Sequence, residues 1–396
     1  MKLLVIGCGQ CGGRIADEFA RQNIMAHTQR GIDIITGALA VNTDTADLSG
    51  LSYIKPDYQH RILIGGQRSR GHGVGKVNEI GAEIAREDSD KVLEGIRAVE
   101  RFAETDAFLL IAGAAGGTGS GTISVLTQQI KERYAEKPLY TIIVLPFRYE
   151  EITEERTVYN VGTCLKSTYL VADAVVLVDN QRYIREKSSI ISNFSNINTR
   201  IVTPFYNLLC PGEETNRKYV GARVLDAGDI IQTLAGWAVI GHGTMNIPRI
   251  KMFDGKLDFR GKLDFRNKAD ATLRGAQAMN QAISALSLGC TPADAKRALY
   301  LLTAPPGEMT MDMIKQISSY LKRIAPEAII RAGDYPRGKG SLDVTVILSE
   351  LINSRKVMDY FNKALKYTHL AKRRRGGIEY EYREIEGNLS DLPSLL

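Results

Sequence analysis

Apolar residues fill every position of 3–6 (Leu-Leu-Val-Ile), 107–112 (Ala-Phe-Leu-Leu-Ile-Ala) and 174–178 (Ala-Val-Val-Leu-Val), and all but one of 139–145. Runs this short and this uniformly apolar read as strands covered on both faces. Strands are expected at 2–6, 38–41, 107–112, 139–145 and 174–178. Between them the apolar positions recur at helical spacing, which predicts helices at 12–22, 74–86, 90–105, 122–134 and 154–170. Strand and helix alternating in this way predict an α/β fold, a Rossmann-like parallel sheet with helices on both faces. In such a sheet a ligand binds at the carboxyl ends of the strands, where the glycine-rich turns fall.

The second half has a different rhythm. A helix at 195–209 with Pro204 inside it joins the halves. Helices at 226–234, 269–286 and 309–323 and strands at 238–240, 298–303, 328–332 and 342–348 predict a smaller α+β unit. Beyond it Val357, Met358, Phe361, Leu365 and Thr368 share helical spacing, so an amphipathic helix precedes the basic cluster Lys372-Arg373-Arg374-Arg375. The domain expectation is 1–190, a connecting helix at 191–212, 213–350, and a C-terminal helix and charged tail at 351–396.

At roughly 100–200 residues per domain, a length of 396 residues fits this plan. With 44% hydrophobic and 24% charged residues, a core forms without disulfides or metals. The longest apolar stretch is far short of the roughly 20 residues of a membrane span, and 3–6 is too short for a signal-peptide core. The expectation is therefore a protein neither secreted nor integral to a membrane. Five cysteines, few and odd in number, fit a reducing cytoplasm. Lys+Arg 51 against Asp+Glu 45 gives +6, too weak and dispersed for a nucleic-acid surface. After the basic cluster come Glu379, Glu381, Glu384, Glu386 and Asp391 with one Arg, the pattern of a solvated tail. Gly255–Arg266 is one hexapeptide, Gly-Lys-Leu-Asp-Phe-Arg, written twice. A tolerant surface loop is the plain reading; a basic contact loop is the functional one.

Two glycine-rich turns carry the chemistry. Gly7-Cys8-Gly9-Gln10-Cys11-Gly12 follows the first strand and opens a helix, where backbone N–H groups and the helix dipole favour a phosphate. Alone it would suit a dinucleotide fold, but the ribose acid such a fold wants is displaced to Asp44. The second turn, Gly113-Ala114-Ala115-Gly116-Gly117-Thr118-Gly119-Ser120-Gly121, lies between a strand and an amphipathic helix. Its N–H groups and hydroxyls form a nest for two or three phosphates. An ordinary NAD domain has no such second loop, and no Gly-Lys-Ser/Thr marks it as a Walker loop. Cys8-x-x-Cys11 lacks a second pair for zinc and sits inside the first turn. His72 and His242 are glycine-flanked turn residues, and Trp237 is expected in the core.

These motifs resemble those of the tubulin/FtsZ superfamily. Gly9-Gln10-Cys11-Gly12 looks like the tubulin form of the first loop, Asn42-Thr43-Asp44 like the motif after the second strand, and Gly116 to Gly121 like the signature loop. Gly236-Trp-Ala-Val-Ile-Gly-His-Gly243, Leu302-Thr303-Ala304 and the run from Leu342 to Ile347 follow in family order. Gly71-His-Gly-Val-Gly-Lys76 looks closer to the archaeal CetZ branch than to bacterial FtsZ.

The resemblance implies a GTP-binding domain joined by a central helix to an activation domain, GTP/GDP with Mg2+ as cofactors, and no protein-held metal cluster. It implies head-to-tail protofilaments and GTP hydrolysis between subunits, in the cytoplasm, for cell shape. The partners are further copies of the chain, with a membrane adaptor as another candidate. Asp226 and Asp229 match the pair that the family presents to the next subunit's nucleotide; at i and i+3 they would share one helix face. Glu150 matches the ribose acid, and the arginine that follows it is displaced to Arg156 or absent. Asn180 and Asn207 match the guanine contacts. The aromatic stacker one turn before Asn207 would be Thr203, with Phe205 or Tyr206 as substitutes. The rivals are an FtsZ of the division ring, a GTP-binding regulator that does not polymerise and, from another class, an NAD-dependent oxidoreductase.

Overall fold

Leu3–Cys8 (β1) lies between two parallel neighbours, Ile35–Asn42 (β2) and Ala107–Gly113 (β4). Leu139–Leu145 (β5) and Ala174–Asp179 (β6) extend the sheet on the β4 side, also in parallel. The computed structural model that contains them describes residues 1–184, 190–247, 265–338, 340–376 and 393–395. Alternate residues of β1 enter different cores: Leu4 and Ile6 one, Leu3 and Val5 the other. Both faces are therefore covered, as the uniformly apolar strands require.

Gly9–Arg30 (α1) and the connecting helix Ile190–Leu209 (α8) cover one face, where Phe19 meets Phe205 edge-on at 6.1 Å. Asn78–Glu87 (α3), Ser89–Arg97 (α4), Thr118–Arg133 (α5) and Glu155–Tyr169 (α7) cover the other. Thr45–Ser49 (α2), Arg61–Leu63 (β3) and Arg148–Thr153 (α6) are one or two turns, or three residues, long. Segments so short leave no period, and none was expected.

Boundaries moved where glycine or loop chemistry overrides periodicity. α1 begins at Gly9 and runs on to Gly31, whose left-handed φ of 66° closes it. α3 starts four residues later than expected, because the preceding segment is a loop with positive φ at Gly71, Gly73, Gly75 and Lys76. The helix expected at 90–105 ends at Arg97.

In the second half, Gly236–Asn246 (β7) pairs with β6 in parallel at three positions and with Ser341–Leu351 (β10) antiparallel. Ala295–Ala304 (β8) and Ile329–Pro336 (β9) complete one sheet in the order β3-β2-β1-β4-β5-β6-β7-β10-β8-β9. The two halves thus share a continuous sheet. Ala227–Thr233 (α9), Phe265–Ser284 (α10) and Met311–Ile324 (α11) pack around its mixed part.

Arg355–Gly376 (α12) buries Val357, Phe361, Leu365 and Thr368 as its spacing predicts, and adds Tyr360 and Ala364; Met358 stays exposed. Its apolar face packs on α7. The hexapeptide repeat lies outside the described residues except where Phe265 and Arg266 begin α10, and so does the acidic part of the tail. No described helix is long and apolar enough to cross a membrane.

Candidate functional site

The carboxyl ends of β1, β2, β4, β5 and β6 open into one cleft of about 350 Å³, within the range of small-molecule sites. Its floor is the two glycine turns pressed together. Gly9 has a left-handed φ of 68°, and a Cβ there would lie 2.8 Å from the Gly119 Cα. Only glycine allows both the conformation and the approach. Gly117 caps α5 without a side chain, so the first-turn N–H groups face the cleft with no protein cap. That is an anion site by geometry and by dipole.

Side chains lock the loops to one another. Thr43 Oγ1 lies 2.6 Å from Thr118 Oγ1, and Ser120 Oγ donates to the Gly116 carbonyl. Asn160 Nδ2 donates to the carbonyls of Lys76 and Ala115, both at 2.9 Å, tying the loop that ends at Lys76, the third loop of the cleft (Gly65 to Lys76), to the second turn. Asn42 Oδ1 accepts the Thr43 amide at 2.8 Å, while its Nδ2 donates to Asp47 at 3.1 Å. Gln10 Nε2 donates to the same Asp47 carboxylate at 2.7 Å, and Asp44 caps α2.

Of the expected residues, Gln10, Cys11, Asn42, Asp44, Gly113, Ala115, Gly116, Gly117, Thr118, Gly119, Glu150 and Asn180 line the cleft. Gly9, Gly12, Ala114, Ser120 and Gly121 are buried behind it as its frame. Glu150 Oε2 accepts the Phe147 amide at 2.8 Å, which fixes the start of α6 at the rim. Arg156 does not line the cleft; it pairs with Glu79 and donates to the Lys76 carbonyl.

Asn207 does not line the cleft. It is half-buried near the end of α8, whereas Ile197 and Asn198 of the same helix line the cleft. The signal for Asn198 was in the sequence: Phe194 precedes it by four residues, the aromatic spacing that Thr203 could not supply for Asn207. Arg14, Asp47 and Lys76 also line the cleft. Arg14 falls one helical turn after Gln10, a signal readable from spacing alone.

Asp226 and Asp229 do not line this cleft. Asp226 sits just outside α9 and Asp229 is the third residue within it. Asp226 is the N-cap of α9, and its Oδ1 accepts the Asp229 amide at 2.9 Å. A cap lies outside the helix and turns its carboxylate back on the first turn. Asp229 lies 3.4 Å from Arg331 Nε.

Burial pushes the Cys8 thiol well up, and burial with the nearby Glu150 pushes Cys11 up to about 12 against the opposing Arg14. Neutral thiols are poor metal ligands and poor nucleophiles. Among the described residues no group of three His, Cys, Asp or Glu could hold a metal ion.

A nucleotide-sized cleft floored by two glycine turns at the ends of parallel strands defines a nucleotide-binding protein of the α/β class. The model of the "Tubulin/FtsZ family, GTPase domain" matches residues 2–186, and that of the "Tubulin-like CetZ, C-terminal domain" matches residues 187–366. CetZ1 of Haloferax volcanii is 32% identical over 379 residues, 92% of each chain. Its GDP-bound monomer superposes with a TM-score of 0.78 at 30% identity, covering 93% of this chain and 99% of that one. A GTPγS-bound protofilament of CetZ2 from the same organism gives 0.80 at 27% identity, covering 94% and 100%. The chain belongs to the tubulin/FtsZ family, in its CetZ branch.

Proposed function

We propose that this chain is a GTP-dependent polymerising cytoskeletal protein that acts in cell shape control and hydrolyses GTP where two subunits meet. One observation carries the shared site: Asp226 and Asp229 lie outside the cleft that Gly116 to Gly119 floor. A cleft that binds phosphate yet lacks its acidic pair is completed by a second copy stacked head to tail. Such an interface is heterologous and propagates as a filament. The CetZ2 relative, determined as a GTPγS-bound protofilament, supports the arrangement.

Within one subunit, the uncapped N–H groups of α5 and the first turn hold the phosphates, Glu150 faces the ribose, and Asn180 and Asn198 face the guanine edge. Asp226 and Asp229 of the next subunit orient the attacking water. Mg2+ fits this site only together with phosphate: both Asp47 oxygens already accept hydrogen bonds, and Asp44 is engaged in capping α2. A small cation that keeps its waters suits such a donor set. When bound, Mg2+ would spread the charge developing on the γ-phosphate, with Asp44 and Asp47 holding its waters. Five free cysteines agree with a cytoplasmic setting.

The test is GTP turnover per subunit measured against protein concentration. The shared site requires the rate per subunit to rise above a threshold concentration at which filaments scatter light. A rate per subunit independent of concentration refutes it.

A further inference from the structure

The charge pattern predicts a solvated tail, yet residues 393–395 return to the body of the protein. Leu395 is only 4% exposed and joins the apolar cluster on the α3, α5 and α7 face. Its N–H donates to Ser167 Oγ of α7 at 2.8 Å, and its carbonyl accepts from Arg86 Nη2 of α3. Ser394 Oγ lies 3.5 Å from the same Ser167 hydroxyl. One buried apolar anchor, with backbone donor and acceptor both met by side chains of two helices, is how a groove recognises a short peptide.

The two helices that hold Leu395 also hold the nucleotide loops. Arg86 is in the last turn of α3, and the third loop leads into that helix at Asn78. Asn78 Nδ2 donates to Thr163 Oγ1 of α7 at 2.8 Å. Two turns before Ser167, Asn160 binds the Lys76 and Ala115 carbonyls. Leu395 thus bridges the far ends of a helix pair whose near ends fix the third loop and the second glycine turn.

We propose that the groove between α3 and α7 is a binding site for the chain's own Pro-Ser-Leu segment, and that the seated segment steadies the loops around the nucleotide. The groove stands on its own contacts; the coupling to nucleotide rests on the GTP-binding reading.

The experiment uses the full chain and its Leu395→Asp variant, which empties the seat without touching the fold's interior elements. A fluorescein-labelled peptide of residues 386–396 is titrated into each and followed by anisotropy. The variant captures the peptide about tenfold more tightly than the wild type, whose seat is filled. Adding Arg86→Ala to the variant weakens capture by about tenfold. Equal capture by wild type and Leu395→Asp, or capture by neither, overturns the site. Release of a fluorescent GDP analogue is then timed in both chains, with about fivefold faster release expected from the variant. Unchanged release with peptide capture intact overturns the coupling alone. A wild type that binds no guanine nucleotide while the variant still captures peptide overturns the GTP-binding reading and leaves the groove standing.

Discussion

Asp226 Oδ1 accepts the backbone amide of Asp229 at 2.9 Å, so the first of the two acids builds the helix that carries the second. Asp226→Ala therefore mixes two effects, loss of a cap worth about 1 kcal/mol and loss of a carboxylate. Asp226→Asn separates them, because asparagine caps as well as aspartate. We expect Asp226→Asn to keep its melting temperature and GTP affinity while turnover falls by about a hundredfold or more. Full turnover in Asp226→Asn would reduce Asp226 to a capping residue.

Asp229 has no such structural duty. Its ion pair with Arg331 is partly exposed and at 3.4 Å is worth about 0–1 kcal/mol. Asp229→Ala should fold as well as the wild type, bind GTP, assemble, and give filaments that outlast those of the wild type, because hydrolysis is what weakens them. Electron microscopy over a time course reads this directly. Filaments that vanish on the wild-type schedule would contradict it.

The glycines of the second turn differ sharply in how much room they have. A Cβ at Gly117 would lie 2.7 Å from Val74 Cγ2 and 2.8 Å from the Lys76 carbonyl carbon, and one at Gly119 2.9 Å from the Cys8 carbonyl. At Gly116 nothing lies within 4 Å. Gly117→Val and Gly119→Val should abolish GTP binding, because the third loop and the first turn must shift. Gly116→Ala should keep GTP binding and stay within about 0.5 kcal/mol of wild-type stability. Equal losses at all three positions would mean that crowding is not what selects glycine here.

The guanine contact is tested by a pair of asparagines on one helix. Asn198 lines the cleft and Asn207 does not. Asn198→Ala should weaken GTP binding by about 1–3 kcal/mol, since a buried base edge loses its partner, and should narrow the preference for GTP over ATP. Asn207→Ala should change neither. Nucleotide affinities that respond to Asn207 and not to Asn198 would restore the original assignment.

That exchange of asparagines shows where reading the chain stops. The parallel sheet was legible because β1, β4, β5 and β6 are apolar at almost every position, and both faces demand it. The two glycine turns were legible because glycine, Thr and Ser occur there for backbone reasons that spacing records. Asn198 was missed because α8 carries several asparagines and the family order alone pointed to Asn207; the aromatic residue four positions earlier was the signal left unread, and the fold shows which turn meets the cleft. Asp47 was missed for another reason: it reads as an ordinary polar helix residue until β1 and β2 bring the starts of α1 and α2 together. The continuous sheet through β6 and β7 rests on three residue pairs between distant segments, and no local pattern encodes such a pairing. Leu395 was hidden by the acids around it, which set the average of the tail but not the fate of one leucine.

The buried thiols give the chain an alkaline limit. Burial raises Cys164 to about 12 from an ordinary value of 9.0, and raises Cys8 further, with Cys164 as its second cause. In the unfolded chain these thiols lose their protons near pH 9, while the folded chain keeps them. The unfolded state then binds fewer protons, so stability falls as pH rises through this window. Below about pH 7.5 both states are almost fully protonated and the thiols contribute almost no slope. Well above pH 9 and below its folded value, each buried thiol removes up to about 1.4 kcal/mol per pH unit. Urea unfolding at intervals from pH 7 to 10.5 should show stability flat at first and then declining. Cys164→Ala should lower stability at pH 7, because a buried side chain is lost, yet decline less steeply above pH 9 by about one proton's worth of slope. Parallel declines in the two proteins would show that Cys164 is not held protonated by the fold.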